Sequence, residues 1–242
     1  MNGPVALHGG GEFLPGDEPF LLAILALAPR VEGAVRIVIV PTAAARGRPD
    51  LASANGVAAF QRVAADAGVP AVVDGVPIVD APSAADATLA DRLRAATLIY
   101  LPGGDPDIIP TLYPGSAAWT AMQDAWKGGA VLAGASAGAM ALAVWTWTRD
   151  GGVEGLGVVP GIGVAPHADA TSWDQAVARY GAAVPPELDF IGLAERTAVI
   201  VPPDAGEPWH VVGEGEARWL SAAARAAGEP PLVVRAGDPL VP

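Results

Sequence analysis

Short apolar runs alternate with longer, alanine-rich segments along the first 135 residues. The runs are rich in Val, Ile and Leu, as in AVRIVIVPT and ATLIYLPGG, and continuous runs of this kind suit strands that are buried on both faces. The segments between them are long enough for helices, and they span residues 18–28, 50–67, 84–95 and 116–127. This alternation predicts an α/β fold with a mostly parallel sheet and helices on both faces.

The pattern changes after Gly138. The runs ELDFIGLAE, TAVIVPP, WHVVGEGEARWL and PLVVRAG are short, partly alternating and separated by turn residues. They predict a small antiparallel annex toward the C-terminus. Because glycine and proline are spread through the loops and no internal repeat is found, we expect residues 1–242 to form a single domain.

Composition narrows the classes of function. With 52% apolar residues, the 242-residue chain can bury a sizeable core. Its net charge of -12 would repel nucleic acid and acidic membranes. The absence of cysteine excludes disulfides, thiolate metal sites and a cysteine nucleophile. The three histidines show no metal-ligand spacing, so we expect no metal and no cofactor. The start of the sequence has no signal-peptide pattern and no run nears the roughly 18 residues of a membrane span, so we expect a cytoplasmic protein.

The stretch AGASAGAM places a lone serine, Ser136, in a G-x-S-x-G pattern between Gly134 and Gly138. It follows the apolar run AVLA and opens a helix-like segment, as a nucleophile elbow would require. The small neighbours allow a sharp backbone turn that exposes the hydroxyl group. The simpler alternative is that Ser136 only caps a helix.

A serine nucleophile needs a base, and the chain offers only His8, His167 and His210. His167 ends the short apolar run in GIGVAPHAD and is followed by small and polar residues, so its ring can reach the mouth of a crevice. His210 lies within the alternating run WHVVGEG, where a structural role is more common. We therefore expect His167 to be the base.

The third member of a triad is a carboxylate that orients the imidazole. Only Asp150 and Glu154 lie between Ser136 and His167. A tight turn explains Asp150 in RDGG without catalysis. We predict Glu154 as the acid, with Asp150 as the alternative.

The stretch LPGGDPD follows the predicted strand TLIYL and offers backbone donors for an oxyanion. If this strand lies near that of Ser136, the N–H groups of Gly104 and Ala137 form the oxyanion hole. Gly103 and Asp105 are then candidates for substrate binding. The simpler alternative for PGGDP, a strand-to-helix turn capped by Asp105, is compatible with this assignment.

These motifs resemble the serine peptidase family that contains aspartyl dipeptidase (peptidase E) and cyanophycinase. The matching pieces span residues 9–201 in the family's order: GGGE, PTAAA, LPGGD, GASAGAM, GLGVVPGIGVAPH and IGLAERTAVIV. The resemblance implies a fold similar to class I glutamine amidotransferases, with serine in place of their cysteine. It also implies a triad of serine, histidine and acid, which carries over to Ser136 and His167.

The resemblance further implies hydrolysis of short peptides through an acyl-enzyme, with aspartyl dipeptides or aspartate-containing, cyanophycin-like peptides as substrates. The sequence departs from the family pattern at Ala168, where many members have PHF, and at Ala194, where many have an acid. Arg149, Arg179 and Arg196 lie downstream of the serine turn and could supply the cation for an aspartyl side chain. The simpler alternative for each is a solvated surface charge, so the subsite stays unassigned. Family members are often dimers, so the resemblance implies a homodimer. The expected partner of the site is a small peptide substrate.

Two other functions fit parts of the sequence. In an α/β-hydrolase esterase, HGGG at residues 8–11 would form the oxyanion hole, and Ser136, Asp204 and His210 would follow in the order serine, acid, histidine. That motif should follow the third strand, however, and here it follows the first apolar run. Alternatively, the chain is a binding protein in which Ser136 is vestigial.

Overall fold

The computed structural model describes residues 2–241, which form an α/β fold with two sheets. The first sheet contains β1 (Val5–His8), β2 (Val35–Ile39), β3 (Ala71–Gly75), β4 (Leu98–Leu101), β5 (Val131–Ala135), β10 (Thr197–Val201), β11 (Trp209–Gly213) and β14 (Pro239–Leu240). Its strand order is β14-β11-β10-β1-β5-β4-β2-β3. The five strands from β1 to β3 in this order are parallel, as the apolar runs predict, and β10, β11 and β14 are antiparallel to their neighbours.

Neighbouring residues of the central strands enter two different cores. Leu7, Leu101 and Leu132 pack on one face of the sheet, and the adjacent Ala6, Tyr100 and Ala133 pack on the other face. Successive side chains of a strand point to opposite faces, so burial on both sides requires continuous apolar runs. This is the physical reason for the pattern in the first half of the chain.

The predicted helical segments are confirmed, with one division. The helices are α1 (Glu18–Leu27), α2 (Pro49–Asp66), α3 (Ala81–Ala85), α4 (Ala87–Arg94), α5 (Ile108–Leu112), α6 (Ala117–Lys127), α7 (Ala137–Leu142), α8 (Trp173–Ala176) and α9 (Ala222–Ala227). The segment 84–95 is divided because Asp86 ends α3 and caps α4, where its side chain accepts hydrogen bonds from the N–H groups of Thr88 and Leu89. Within residues 2–241, no helix is both long enough and apolar enough to cross a bilayer.

The runs predicted as a small antiparallel annex are divided between two sheets: TAVIVPP and WHVVG form β10 and β11 of the first sheet, and the others belong to a second sheet, which is mixed. The annex prediction is therefore wrong in this respect. The second sheet contains β6 (Ala143–Thr148), β7 (Gly151–Glu154), β8 (Val159–Ala165), β9 (Asp189–Leu193), β12 (Glu216–Leu220) and β13 (Leu232–Arg235). The strand order is β13-β12-β9-β8-β6-β7, and the pairs β6–β8 and β8–β9 are parallel. The predicted runs of this sheet do pair antiparallel, as β9 with β12 and β12 with β13. Both parallel pairs involve β8, which was not among the predicted runs.

Candidate active site

Ser136 occupies a sharp turn between β5 and α7. Its backbone has φ 48° and ψ -115°, which is an unusual conformation for a residue other than glycine. The flanking glycines make room for this turn. A methyl group built on Gly134 would lie 2.5 Å from the carbonyl carbon of Gly138, and one built on Gly138 would lie 2.1 Å from the carbonyl oxygen of Leu101. The G-x-S-x-G pattern is therefore a steric requirement of the turn.

The structure brings His167 to Ser136, as the sequence predicts. His167 Nε2 lies 3.1 Å from Ser136 Oγ, within hydrogen-bond distance. The loop after β1 fixes the backbone of His167, because the His167 N–H donates a hydrogen bond to the Gly9 carbonyl oxygen at 2.8 Å. A methyl group on Gly10 would lie only 2.3 Å from His167 Cε1, so the imidazole packs directly against that glycine.

The carboxylate at His167 is Glu195, and the prediction of Glu154 or Asp150 in this place is wrong. His167 Nδ1 lies 2.9 Å from Glu195 Oε1. Glu154 belongs to β7, the edge strand of the second sheet, where it lies opposite Trp145 of β6. It lines a separate cavity together with Asp150.

Pairing of β8 with β9 explains why Glu195 meets the histidine. The two strands are adjacent and parallel, so their carboxyl ends lie side by side. His167 comes two residues after the end of β8, and Glu195 comes two residues after the end of β9. Glu195 lies in the segment IGLAERTAVIV, outside the interval between Ser136 and His167 in which the acid was predicted.

Gly104 and Ala137 both line the cleft beside Ser136. Within residues 2–241, the N–H groups of Gly104 and Ala137 have no hydrogen-bond acceptor. The N–H of Gly103, in contrast, donates to Glu12 Oε1 at 2.7 Å. Gly104 has φ 153°, and a methyl group there would lie 2.2 Å from the Ala43 carbonyl oxygen, so only glycine fits this approach. The two N–H groups predicted as oxyanion donors thus belong to residues that line the cleft with Ser136, and they have no partner among the described residues.

Asp105 holds the rim of the cleft in an ion-pair network. Its carboxylate lies 2.9 Å from Arg46 Nη1 and also contacts Arg149, which bonds Asp107 as well. Burial raises the pKa of Asp105, but the hydrogen bonds from Arg149, from the Asp107 N–H and from Arg46 outweigh it and lower the pKa. As a substrate-binding candidate, Asp105 is already occupied by arginines.

The cleft has a volume of about 960 Å³, and it is rich in cations although the chain is acidic. Arg46, Arg48, Arg149 and Arg179 all line it. The guanidinium group of Arg179 lies 4.6 Å from the centroid of the Trp147 ring. Among the described residues, neither Arg48 nor Arg179 has a carboxylate within ion-pair distance.

Arg196 does not line this cleft. Its Nε lies 3.8 Å from Glu214 Oε2. Of the three arginines predicted as possible substrate cations, only Arg179 therefore combines a place in the cleft with a guanidinium group free of acidic partners in the described part of the chain.

The residues of the esterase alternative do not converge. His210 lies in β11 opposite Ile200, is exposed, and does not line the cleft with Ser136. His8 is fully buried with Nε2 2.9 Å from Asp17 Oδ1 and its ring stacked on Phe20. In residues 2–241, no group of three or more His, Asp or Glu side chains is placed to hold a metal ion.

Comparison with known proteins identifies a family whose sequence pattern matches this chain. The sequence profile of peptidase family S51 matches residues 5–206. No curated protein matches the chain significantly.

Two solved structures share the fold. One is a peptidase from an acI-B1 Actinobacterium, with a TM-score of 0.81 and 24% identity over 100% of this chain and 97% of the other. Another is a protein from Listeria monocytogenes EGD-e with a provisional peptidase E assignment, with a TM-score of 0.58 and 12% identity over 89% and 99% of the two chains. At these identities the likeness concerns the fold.

Proposed function

This chain belongs to peptidase family S51, and from that premise we propose that it is a serine exopeptidase that cleaves short peptides with an N-terminal aspartyl residue. The observation that carries the proposal is the continuous contact from Ser136 through His167 to Glu195. The two distances, 3.1 Å and 2.9 Å, are those of a serine nucleophile, its base and an orienting acid.

In the proposed mechanism, His167 Nε2 accepts the hydroxyl proton as Ser136 Oγ attacks the peptide carbonyl carbon. Glu195 accepts a hydrogen bond from His167 Nδ1–H and stabilises the imidazolium ion. The N–H groups of Gly104 and Ala137 donate to the oxyanion. His167 then gives its proton to the leaving amine, and water hydrolyses the acyl-enzyme with the same base.

The charges of the cleft favour an acidic side chain. Arg48 and Arg179 line it without acidic partners among residues 2–241, so a substrate carboxylate can supply the missing charge. Cyanophycin-like branches end in guanidinium groups, which these arginines would repel. We therefore favour aspartyl peptides over cyanophycin-like peptides.

Covalent labelling tests the nucleophile. We expect a fluorophosphonate to add to Ser136, as located by peptide mapping, and Ser136→Ala and His167→Ala to abolish or greatly slow the reaction. His210→Ala is the matched control, since this exposed histidine lies away from the cleft. Labelling that persists without His167, or a wild-type protein that does not react while a known serine hydrolase does, would contradict the proposal and favour a non-catalytic binding relative.

A peptide panel tests specificity. We expect Asp-Leu to be cleaved faster than Leu-Leu or Arg-Leu, and Arg179→Gln to raise KM for Asp-Leu about 10- to 100-fold, as for loss of a charged hydrogen bond. Arg30→Gln, at an exposed position outside the cleft, is the matched control. Equal rates on all three peptides would refute the aspartyl preference while leaving the nucleophile in place.

A further inference from the structure

Glu12 lies beside the nucleophile, in the loop that follows β1. The side chain is half-buried and lines the cleft together with Ser136. Its Oε1 accepts a hydrogen bond from the Gly103 N–H at 2.7 Å. A methyl group built on Gly103 would lie 2.9 Å from Glu12 Oε1 and 3.0 Å from Ser136 Cβ. The carboxylate and the nucleophile therefore flank the same glycine.

The charge of Glu12 has no counter-ion in the described part of the protein. Among residues 2–241, no Arg, Lys or His nitrogen lies within ion-pair distance of its carboxylate, whereas Asp105 has two arginines. The charge of Glu12 acts on the buried Tyr100, whose pKa is raised first by burial and then by the charges of Glu12 and Asp17. A half-buried carboxylate in this setting is stabilised when a cation binds.

In the described part of the chain, unpaired charges of both signs thus line the cleft that contains Ser136. Glu12 is the negative site, while Arg48 and Arg179 are the positive sites. This arrangement is complementary to a zwitterion that carries an ammonium group and carboxylates. In an N-terminal residue, the ammonium nitrogen is two bonds from the carbonyl carbon that the serine attacks, so its acceptor must flank the nucleophile, as Glu12 does.

We propose that Glu12 binds the α-ammonium group of the substrate and thereby restricts cleavage to the first peptide bond of a chain with a free amino terminus. This assignment rests on the proposed peptidase function of Ser136. It makes Glu12 a specificity-determining residue, distinct from the triad and from the oxyanion donors. One oxygen of its carboxylate holds Gly103, and the other is available to the ammonium group.

The test compares aspartyl p-nitroanilide with its N-acetyl form. The wild-type protein should prefer the free amine strongly, because the acetylated substrate carries no ammonium group. Glu12→Gln keeps an acceptor oxygen for the Gly103 N–H but removes the charge. We expect it to lower kcat/KM for the free amine about 10- to 150-fold, mainly through KM, and to leave the slow reaction of the acetylated substrate unchanged. Glu229→Gln, an exposed glutamate outside the cleft, should change neither.

Fluorophosphonate labelling separates substrate binding from loop support, since the probe has no ammonium group. An unchanged labelling rate in Glu12→Gln supports the proposal. A labelling rate that falls together with kcat/KM, or an equal loss on both anilides, would overturn it by showing that Glu12 acts only through the Gly103–Gly104 loop. Equal cleavage of both anilides by the wild-type protein also overturns it, with the serine mechanism intact. A wild-type protein that neither labels nor cleaves refutes the proposed function itself.

Discussion

Replacing Glu195 by Gln tests the assignment of the triad acid. The side chain of Glu195 accepts the His167 Nδ1–H, which fixes the tautomer whose Nε2 can take the serine proton. A glutamine can present either its carbonyl or its amide group to Nδ1, so it no longer selects this tautomer or stabilises the imidazolium ion. Loss of a hydrogen bond to a charged group alone is worth about 1.5 to 3 kcal/mol, which corresponds to about 10- to 150-fold in rate.

Selection of the wrong tautomer adds to this loss, and replacing a triad carboxylate by its amide costs up to about 10⁴-fold in a buried triad. The Glu195 side chain is 50% exposed, so water can replace part of its interaction. We therefore expect kcat to fall about 10²- to 10³-fold, between these limits. Because the residue is exposed, the free energy of unfolding should change by less than about 0.5 kcal/mol.

The assay measures kcat on aspartyl p-nitroanilide for Glu195→Gln and Glu154→Gln side by side, with urea unfolding of each variant. Glu154 is the matched control, because it is an exposed glutamate of the β7 edge and lines the other cavity. Its substitution should leave kcat unchanged. An equal or larger loss in Glu154→Gln, or full activity in Glu195→Gln, would refute the assignment.

Three further predictions concern stability. His8→Ala should lower the free energy of unfolding by about 3 to 5 kcal/mol in urea, because Asp17 would keep a buried charge without its partner; the exposed His210→Ala should cost less than about 0.5 kcal/mol. Gly104→Ala should cost more than Gly115→Ala, since both have positive φ but only Gly104 faces a carbonyl oxygen at 2.2 Å; equal losses would contradict the clash. The lowered pKa of Asp105 means that its ionised form stabilises the folded protein above the usual aspartate pKa, and that this contribution is lost as pH falls through the lower pKa of the folded state. Urea unfolding between pH 2 and pH 6 should accordingly show a shallower acid loss in Asp105→Asn, and parallel curves would contradict this.

The contact between Ser136 and His167 could be predicted from the sequence because each residue has a local signature. Ser136 needs Gly134 and Gly138 around its turn, and His167 lies two residues after the end of a strand. The parallel strands of the first sheet were predictable for a similar reason, since burial on both faces leaves continuous apolar runs. These features are encoded within a few residues of where they act.

The acid could not be found in this way, because its position depends on which strands pair. Glu195 meets His167 only through the parallel alignment of β8 with β9, which are separated in the chain by α8 and a π-helical turn. Nothing within GLAERTA distinguishes an acid directed at a histidine from a surface charge. Likewise, Glu12 is an ordinary loop glutamate until the ends of β1 and β4 place it at Gly103.

The candidate site is divided between the two sheets. Ser136 and the loop of Gly104 follow strands of the first sheet, whereas His167 and Glu195 follow strands of the second. Helix α7 lies at the junction: it follows Ser136 directly, leads into β6, and is buried at all six positions. Its residues include Gly138, Ala139 and Ala141, and such small side chains allow close approach. The small residues of AGASAGAM therefore serve two purposes, since they permit the turn at Ser136 and allow α7 to be fully buried where it leads from the first sheet into the second.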